Sequence, residues 1–479
     1  MTDKNEIPET WSVTELGDIS SAIQYGFTTK AVTQPIGPRF LRITDIQNNS
    51  VNWEHVPFCK VDGINKNKYL LEQGDLLFAR TGATVGKSYL ISGKIPESIF
   101  ASYLIRVKIQ SKIEPKYISY FFKSTNYWRQ ISESSAGIGQ PNVNGTKLSK
   151  IKVPVAPLNE QKRIVAEIEK QFSRLDEAVE NLKRVKANLK RYRASVLKAA
   201  VEGKLTEEWR GKHPDVESAD KLLERILVER RKKWEEAELA KMKAKGKLPK
   251  DDKWKKKYKE PKTAETENLP DIPPTWLWAR LDSVTEIKGG ITKDSKRKIK
   301  KAKELPYLRV ANVQRGYLDL DKIKYIKVSE DNLPELLLER GDILFNEGGD
   351  RDKLGRGWIW EGQIRECTYQ NHVFRARLFL KEMPGKLFSW YGNTFGQQYF
   401  MAKGKQTTNL ASINKTMLSA LPIPLPPFDE QVILIKKIEG RLSMIDAVEK
   451  EVDASLKRAD LLRQSVLKSA FSGLLFQNH

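Results

Sequence analysis

The sequence predicts an α+β protein: two repeated α/β domains separated by two long antiparallel coiled-coil helices, with approximate two-fold symmetry. Three observations predict it. The chain repeats itself once along its length, each repeat ends in an amphipathic segment of the same length, and each repeat begins with short β-type runs broken by Gly and Asn turns.

The repeat is read from matched words. Ile7-Pro8-Glu9-Thr10-Trp11 returns as Ile272-Pro273-Pro274-Thr275-Trp276. Phe40-Leu41-Arg42-Ile43 returns as Tyr307-Leu308-Arg309-Val310, followed by Gln47 and Gln314 respectively. Leu70-Leu71-Glu72-Gln73-Gly74-Asp75-Leu76-Leu77-Phe78 returns as Leu337-Leu338-Glu339-Arg340-Gly341-Asp342-Ile343-Leu344-Phe345. Ser195-Val196-Leu197-Lys198 returns as Ser465-Val466-Leu467-Lys468. The offset drifts only from 265 (272 − 7) to 270 (465 − 195), which is far too long for a solenoid. Each unit is therefore one domain followed by one helix. The boundaries expected are 1–157, 158–205 for the first helix, 206–269 for a connector, 270–427, and 428–479 for the second helix.

Within each domain, Leu76–Arg80, Leu104–Ile109 and Val373–Leu380 read as strands. The exits are rich in proline: Pro154 and Pro157 in one copy, Pro422, Pro424, Pro426 and Pro427 in the other. Asn159 and Asp429 stand just beyond as N-cap candidates, and Gly203 and Gly473 as C-terminal stops. Both intervals are 44 residues (203 − 159 and 473 − 429). The apolar stripe of the first helix is Ile168, Phe172, Leu175, Val179, Leu182, Val185, Leu189, Tyr192 and Val196. That of the second is Ile438, Leu442, Ile445, Val448, Val452, Leu456, Ala459, Leu462 and Val466. Two such helices, each about 66 Å long, suit each other as antiparallel partners.

The connector is strongly charged, with 16 Lys+Arg against 8 Asp+Glu over 221–260. Leu222, Leu223, Ile226 and Leu227 predict a further helix. Lys253-Trp254-Lys255-Lys256-Lys257-Tyr258-Lys259 interleaves aromatics with positive charge, which fits either a phosphate contact or a solvated linker.

Composition narrows the function. A formal net charge of +23 points to a polyanionic partner, nucleic acid first. Cys59 and Cys367 are the two cysteines and form no CxxC pair, so a cysteine zinc site is not expected and a reducing cytoplasm is. The first ten residues are polar and acidic, unlike a secretory leader, and no apolar run is long enough to cross a bilayer.

Several motifs invite a catalytic reading and fail. Thr81-Gly82-Ala83-Thr84-Val85-Gly86-Lys87-Ser88 has three residues between Gly82 and Gly86 where a phosphate loop needs four. It leads into Tyr89-Leu90-Ile91, a strand rather than a helix, and the equivalent turn, Asn346 to Gly357, lacks Gly-Lys-Ser. Pro270-Asp271 with Glu286-Ile287-Lys288 matches the loose pattern of metal-dependent nucleases, but the first copy has Ser21-Ala22-Ile23 there. Asp271-Ile272-Pro273-Pro274 departs from the polar-Pro-Pro-aromatic signature of amino-methyltransferases, and no glycine-rich cofactor loop accompanies it. His55, His213, His372 and His479 show no ligand spacing. No catalytic residue, cofactor or metal is expected.

The chain resembles the specificity subunit of a type I restriction-modification system. The openings Ile7–Leu16 and Ile272–Leu281 carry the resemblance, with the paired Gly74-Asp75 and Gly341-Asp342 segments. So do Gln140-Pro141-Asn142-Val143, Thr407 to Asn414, and the exits Pro157-Leu158-Asn159-Glu160-Gln161 and Pro427-Phe428-Asp429-Glu430-Gln431. The resemblance implies that each globular part is a target recognition domain reading half of a split duplex DNA sequence. It implies that the helices act as a ruler and as the docking surface for two modification subunits, which bind S-adenosylmethionine and methylate adenine at N6. Restriction subunits would join as an ATP-dependent nuclease. A self-contained methyltransferase or nuclease, and a two-headed nucleic-acid-binding scaffold, are the rival readings. A spacer of about 60 Å is somewhat under two turns of duplex at roughly 34–36 Å per turn.

Base reading calls for polar side chains on turns. In the first domain the candidates are Tyr25, Thr28, Lys30, Arg42, Arg80, Thr84, Lys87, Ser102, Tyr103, Gln140 and Asn142. In the second they are Lys293, Arg309, Asn346, Arg351, Lys353, Arg356, Asn371, His372, Lys405, Thr407 and Asn409. They fall on turns at matching places in the two copies.

Overall fold

In the first repeat the strand Ser12–Glu15 pairs antiparallel with the exit strand Lys152–Val155, so the domain is closed where it starts. Its main sheet is antiparallel, in the order Ser20–Tyr25, Leu104–Ile109, Leu76–Ala79, Ser88–Leu90. Leu76–Ala79 is buried at every position, as its unbroken apolar run requires. The helices Pro115–Phe121 and Thr125–Ser135 cover the sheet, and Phe78 meets Phe122 edge-on at 4.7 Å. The second repeat rebuilds the plan. Leu277–Arg280 pairs with Pro422–Leu425, and the sheet order is Thr285–Gly289, Val373–Leu378, Ile343–Asn346, Gly357–Ile359. It adds a hairpin, Ala302–Leu308 with Lys324–Ser329. This computed structural model describes residues 7–135, 142–292, 301–406 and 411–476. They fall into two units, Met1–Lys186 with Lys450–His479, and Ala187–Glu449.

The repeated Gly-Asp words are sheet-entry turns. Gly74 and Gly341 have φ of 94° and 98°, a conformation that glycine adopts without steric cost. The next carboxylate closes the turn: Asp75 accepts from the Glu72 amide at 3.0 Å and Asp342 from the Glu339 amide at 2.7 Å. Both carboxylates are buried and each meets a guanidinium, Arg106 at 3.4 Å and Arg377 at 2.7 Å. The pair stitches the turn to the neighbouring strand and leaves neither charge alone in the core.

The long helices span Leu158–Val201 and Phe428–Phe471, 44 residues each. They begin one residue before the expected caps, because the Pro157 and Pro427 carbonyls accept the Gln161 and Gln431 amides at 2.9 and 3.0 Å. Asn159 and Asp429 therefore sit in the first turn instead of capping it. The Gln161 and Gln431 side chains fold back onto the Ala156 and Pro426 carbonyls, at 2.7 and 2.8 Å, and fix the exit angle. Gly203 and Gly473 end the helical runs with φ of 68° and 76°, as expected.

In the first unit the helices pair through Asp176 with Arg463 and Lys186 with Asp453; in the second, through Arg193 with Asp446 and Glu449. Partner numbers fall as helix numbers rise, so the pairing is antiparallel. Ile438, Ile445, Val452 and Ala459, spaced by seven, are buried. The expected stripe is too wide, however. Val185, Tyr192, Val448 and Leu462 are 40%, 48%, 44% and 52% exposed. A two-helix seam covers chiefly two positions in each heptad, and a stripe at 3.6 spacing drifts off it.

The connector helix forms as expected, over Ala219–Ala244, with Leu222 and Ile226 in the core of the second unit. Lys253–Lys259 is not a free linker. Trp254 stacks on Trp234 at 5.9 Å, and Tyr258 packs against Trp234 at 5.4 Å.

Gly203 has no room for a side chain: a Cβ there would lie 2.3 Å from Cγ of Pro273. Gly246, in the connector, has φ of 65° and nothing within 4 Å. Gly246→Ala is expected to cost about 1–2 kcal/mol from backbone strain alone. Gly203→Ala should cost clearly more, measured by chemical denaturation of the two variants side by side.

Candidate nucleic-acid interface

One end of each main sheet gathers the turns. In the first domain Tyr25 ends its strand, Arg80 follows the central strand, and Ser102 and Tyr103 precede the next. Main-chain bonds lock these together: Arg80 donates to the Tyr103 carbonyl at 3.1 Å, Ser102 to Phe27 at 3.0 Å, and Val143 to Arg80 at 3.0 Å. The Arg80 guanidinium lies 5.0 Å over the Tyr25 ring, and its Nε is buried without a hydrogen-bond partner. The Tyr25 hydroxyl accepts from the Gly145 amide at 2.8 Å. Thr84 and Lys87 close a short turn, with the Lys87 amide 3.0 Å from the Thr84 carbonyl and its side chain exposed. Thr28, Lys30, Tyr103 and Asn142 are exposed at the rim, and Asn142 bridges Thr81.

The second domain holds the same lattice of bonds with other residues. Glu347 donates its amide to His372 at 2.9 Å, Asn371 to Ile291 at 2.9 Å, and Ile413 to Glu347 at 2.8 Å. Glu347 therefore takes the place of Arg80, and Asn371 and His372 take those of Ser102 and Tyr103. The Glu347 carboxylate lies 2.6 Å from Nδ1 of His372. Sequence reasoning missed Glu347 by seeking cations; the alignment of Asn346 with Ala79 was the signal that would have found it. An arginine donates hydrogen bonds and a carboxylate accepts them, so the two centres have opposite hydrogen-bonding chemistry.

Other candidates are partly committed elsewhere. Arg42 is held by Asp45 at 2.7 Å, a bond that raises the guanidinium pKa further. Arg309 donates to the Lys322 carbonyl at 2.9 Å, and Arg356 to that of Val310 at 3.2 Å. Lys353 pairs with Asp350, and the exposed Arg351 reaches the Met401 carbonyl at 3.3 Å. Asn346 is fully buried and donates to the Val310 and Val313 carbonyls at 3.1 and 2.8 Å, so it braces the turn from inside. Gln140, Lys293, Thr407, Asn409 and the Lys405 side chain lie outside the described residues.

The rejected motifs have structural roles. Gly82–Thr84 is a short turn between two strands, not a loop opening a helix. Glu286 is engaged by Arg375 at 3.0 Å and Lys288 at 3.2 Å. Pro273 seats the end of the first long helix, and the Trp276 indole donates to Glu430 at 2.8 Å. Burial lifts the Cys367 thiol to about 12 and that of Cys59 to about 11, which keeps both inert at neutral pH. No helix among the described residues is long and apolar enough to cross a membrane.

Duplicated sheets, each presenting one lattice of polar turns and each tied to a long paired helix, define a protein of two repeated domain-and-helix units. The family model for the type I restriction modification DNA specificity domain matches it twice, over residues 8–191 and 273–458. The chain belongs to that family. It is 24% identical to the type I restriction enzyme EcoKI specificity subunit of Escherichia coli K12, over 98% of this chain and 90% of that protein. It is 23% identical to the StySPI specificity subunit of Salmonella potsdam, over 99% and 91%. A chain from a structure on complex assembly and conformational transition of the type I R-M system shares the fold. Its TM-score is 0.63 at 16% identity, covering 98% of this chain and 99% of its own.

Lys87→Ala is expected to weaken binding to duplexes of every sequence. It should also lower the slope of log affinity against log salt by about 0.9, the value for one phosphate contact. A salt titration of the variant beside the parent protein checks this.

Proposed function

We propose that this chain is the non-catalytic DNA-specificity subunit of a type I restriction-modification complex. Residues 1–157 and 270–427 would each read one half of a split, asymmetric duplex target. The observation that carries this reading is the recurrence of one turn lattice in two copies with different side chains on it. Identical scaffolds hold the reading edge rigid, while Arg80 with Tyr103 and Glu347 with His372 give each edge its own preference. The chain brings address, and associated subunits bring adenine-N6 methylation and ATP-dependent cleavage in the cytoplasm.

The long helices would set the gap between half-sites and carry two modification subunits. Support comes from their equal length, from antiparallel ion pairs in each unit, and from apolar side chains left uncovered. Met444 and Leu461 are each 70% exposed and available to a docking surface.

Deleting residues 179–185 and 454–460 together removes one heptad from each helix. Asp176–Arg463 and Lys186–Asp453 flank both cuts and remain available. The loss is about 10.5 Å of helix, so the accepted gap should change by about three base pairs at 3.4 Å each. Methylation-site mapping in a host carrying the whole system reads the result. An unchanged gap would reject the ruler and leave the two-headed reading standing.

A further inference from the structure

The connector has no counterpart in the second repeat, so duplication does not account for it. It is an arm with a fixed root. Leu222 and Ile226 are in the core of the second unit, Arg230 donates to the Asp282 carbonyl at 3.2 Å, and Lys233 to that of Phe379 at 2.6 Å. Beyond Trp234 the arm packs mainly on itself. The helix turns back at Gly246, and the return is fixed by the Trp234–Trp254 stack and by Tyr258, over which Arg230 lies at 5.2 Å.

The tip concentrates charge. Residues 241–259 contain ten lysines and two aspartates. Four of the acids nearby are already matched: Glu238 with Lys241, Asp251 with Lys253, and Asp252 and Glu235 with Lys255. Lys243, Lys245, Lys247, Lys250, Lys256 and Lys257 are exposed and form no ion pair among the described residues. This concentration of unmatched positive charge attracts a dense anionic partner.

We propose that this arm tip is a second DNA contact, one that grips duplex phosphates without reading bases. Lysines are point charges suited to phosphate and carry no base code by themselves. The aromatics between them are spent: Trp254 faces Trp234 and Tyr258 faces Trp234 and Arg230, so neither ring offers a stacking platform for an unpaired base. That favours duplex over single strand. The contact rests on the chain's role as a DNA-specificity subunit and adds to it: the target would be held by two reading edges plus one asymmetric, sequence-blind grip.

The test uses the full-length chain with Lys243, Lys245, Lys247, Lys256 and Lys257 each changed to Gln. All five are exposed, and an unchanged melting curve confirms that folding is intact. Binding is measured to a duplex of arbitrary sequence, to the same duplex carrying the target, and to oligo-dT, across a salt series. The expected result is a fall of about tenfold or more in affinity for both duplexes, with a salt slope lower by about two to four. The ratio of target to arbitrary affinity, and the methylation pattern in cells, should stay as they were. Unchanged duplex affinity and slope would overturn the arm contact, while a Lys87→Ala variant that still loses slope would leave the reading edges intact. Loss of assembly with the modification subunits at unchanged DNA affinity would also overturn it, by showing a protein-docking arm. A loss confined to oligo-dT would do the same, by showing a single-strand grip.

Discussion

The segment just ahead of the opening strand of each repeat accepts the end of a long helix through a contact that tolerates no side chain. A Cβ on Gly203 would sit 2.3 Å from Pro273, and one on Gly473 would sit 2.2 Å from Pro8. Both glycines also hold positive φ. The first long helix thus starts on the exit strand of its own repeat and finishes on the opening of the other, and the second does the reverse. Neither repeat is complete in sequence order. The unit built on the first domain needs Lys450–His479 from the far end of the chain.

The start of each helix is fixed as firmly as its end. Gln161 and Gln431 are buried and return a hydrogen bond to the proline-rich exit. One equivalent ion pair joins each domain to its own helix, Lys116–Glu169 at 2.7 Å in the first and Lys386–Glu439 at 3.0 Å in the second. Such exposed pairs contribute little stability singly, on the order of 0–1 kcal/mol. Their value is orientation, because they stand beside buried contacts that supply the energy. In the second unit Glu430 is wholly buried and takes Thr206 at 2.6 Å, the Trp276 indole and Arg210. One carboxylate there gathers the connector, the opening strand and the second helix.

The polar turns of the two domains stand on the same frame. Asp75 and Asp342 close the same turn and bind a guanidinium from the adjacent strand, so the sheet ends arrive at the same place in each domain. The main-chain lattice above them is also the same. What differs is the side chain presented: a guanidinium over a tyrosine ring in one copy, a carboxylate against an imidazole in the other. The presented side chains thus differ while the turn and the core beneath them stay the same.

The sequence by itself determined the duplication, the strands around the Gly-Asp turns, and the two long helices with their glycine stops. These features are local: a period, a proline, a positive-φ position. It also showed that TGATVGKS was no nucleotide loop, because three intervening residues cannot make that cradle. Tertiary structure decided the rest. It buried Asn346 and showed through matching main-chain bonds that Glu347 takes the Arg80 position, which the ungapped Gly-Asp words already allowed but a search for cations passed over. It exposed Val185, Tyr192, Val448 and Leu462, because a single partner helix covers a narrower seam than the apolar stripe. It folded Trp254 and Tyr258 onto Trp234, turning an apparent linker into an arm. Each of these outcomes depends on contacts beyond the reach of local periodicity, and the seats at Pro8 and Pro273 on contacts between distant parts of the chain. A pattern along a sequence records which residues avoid water, but not which partner shields them.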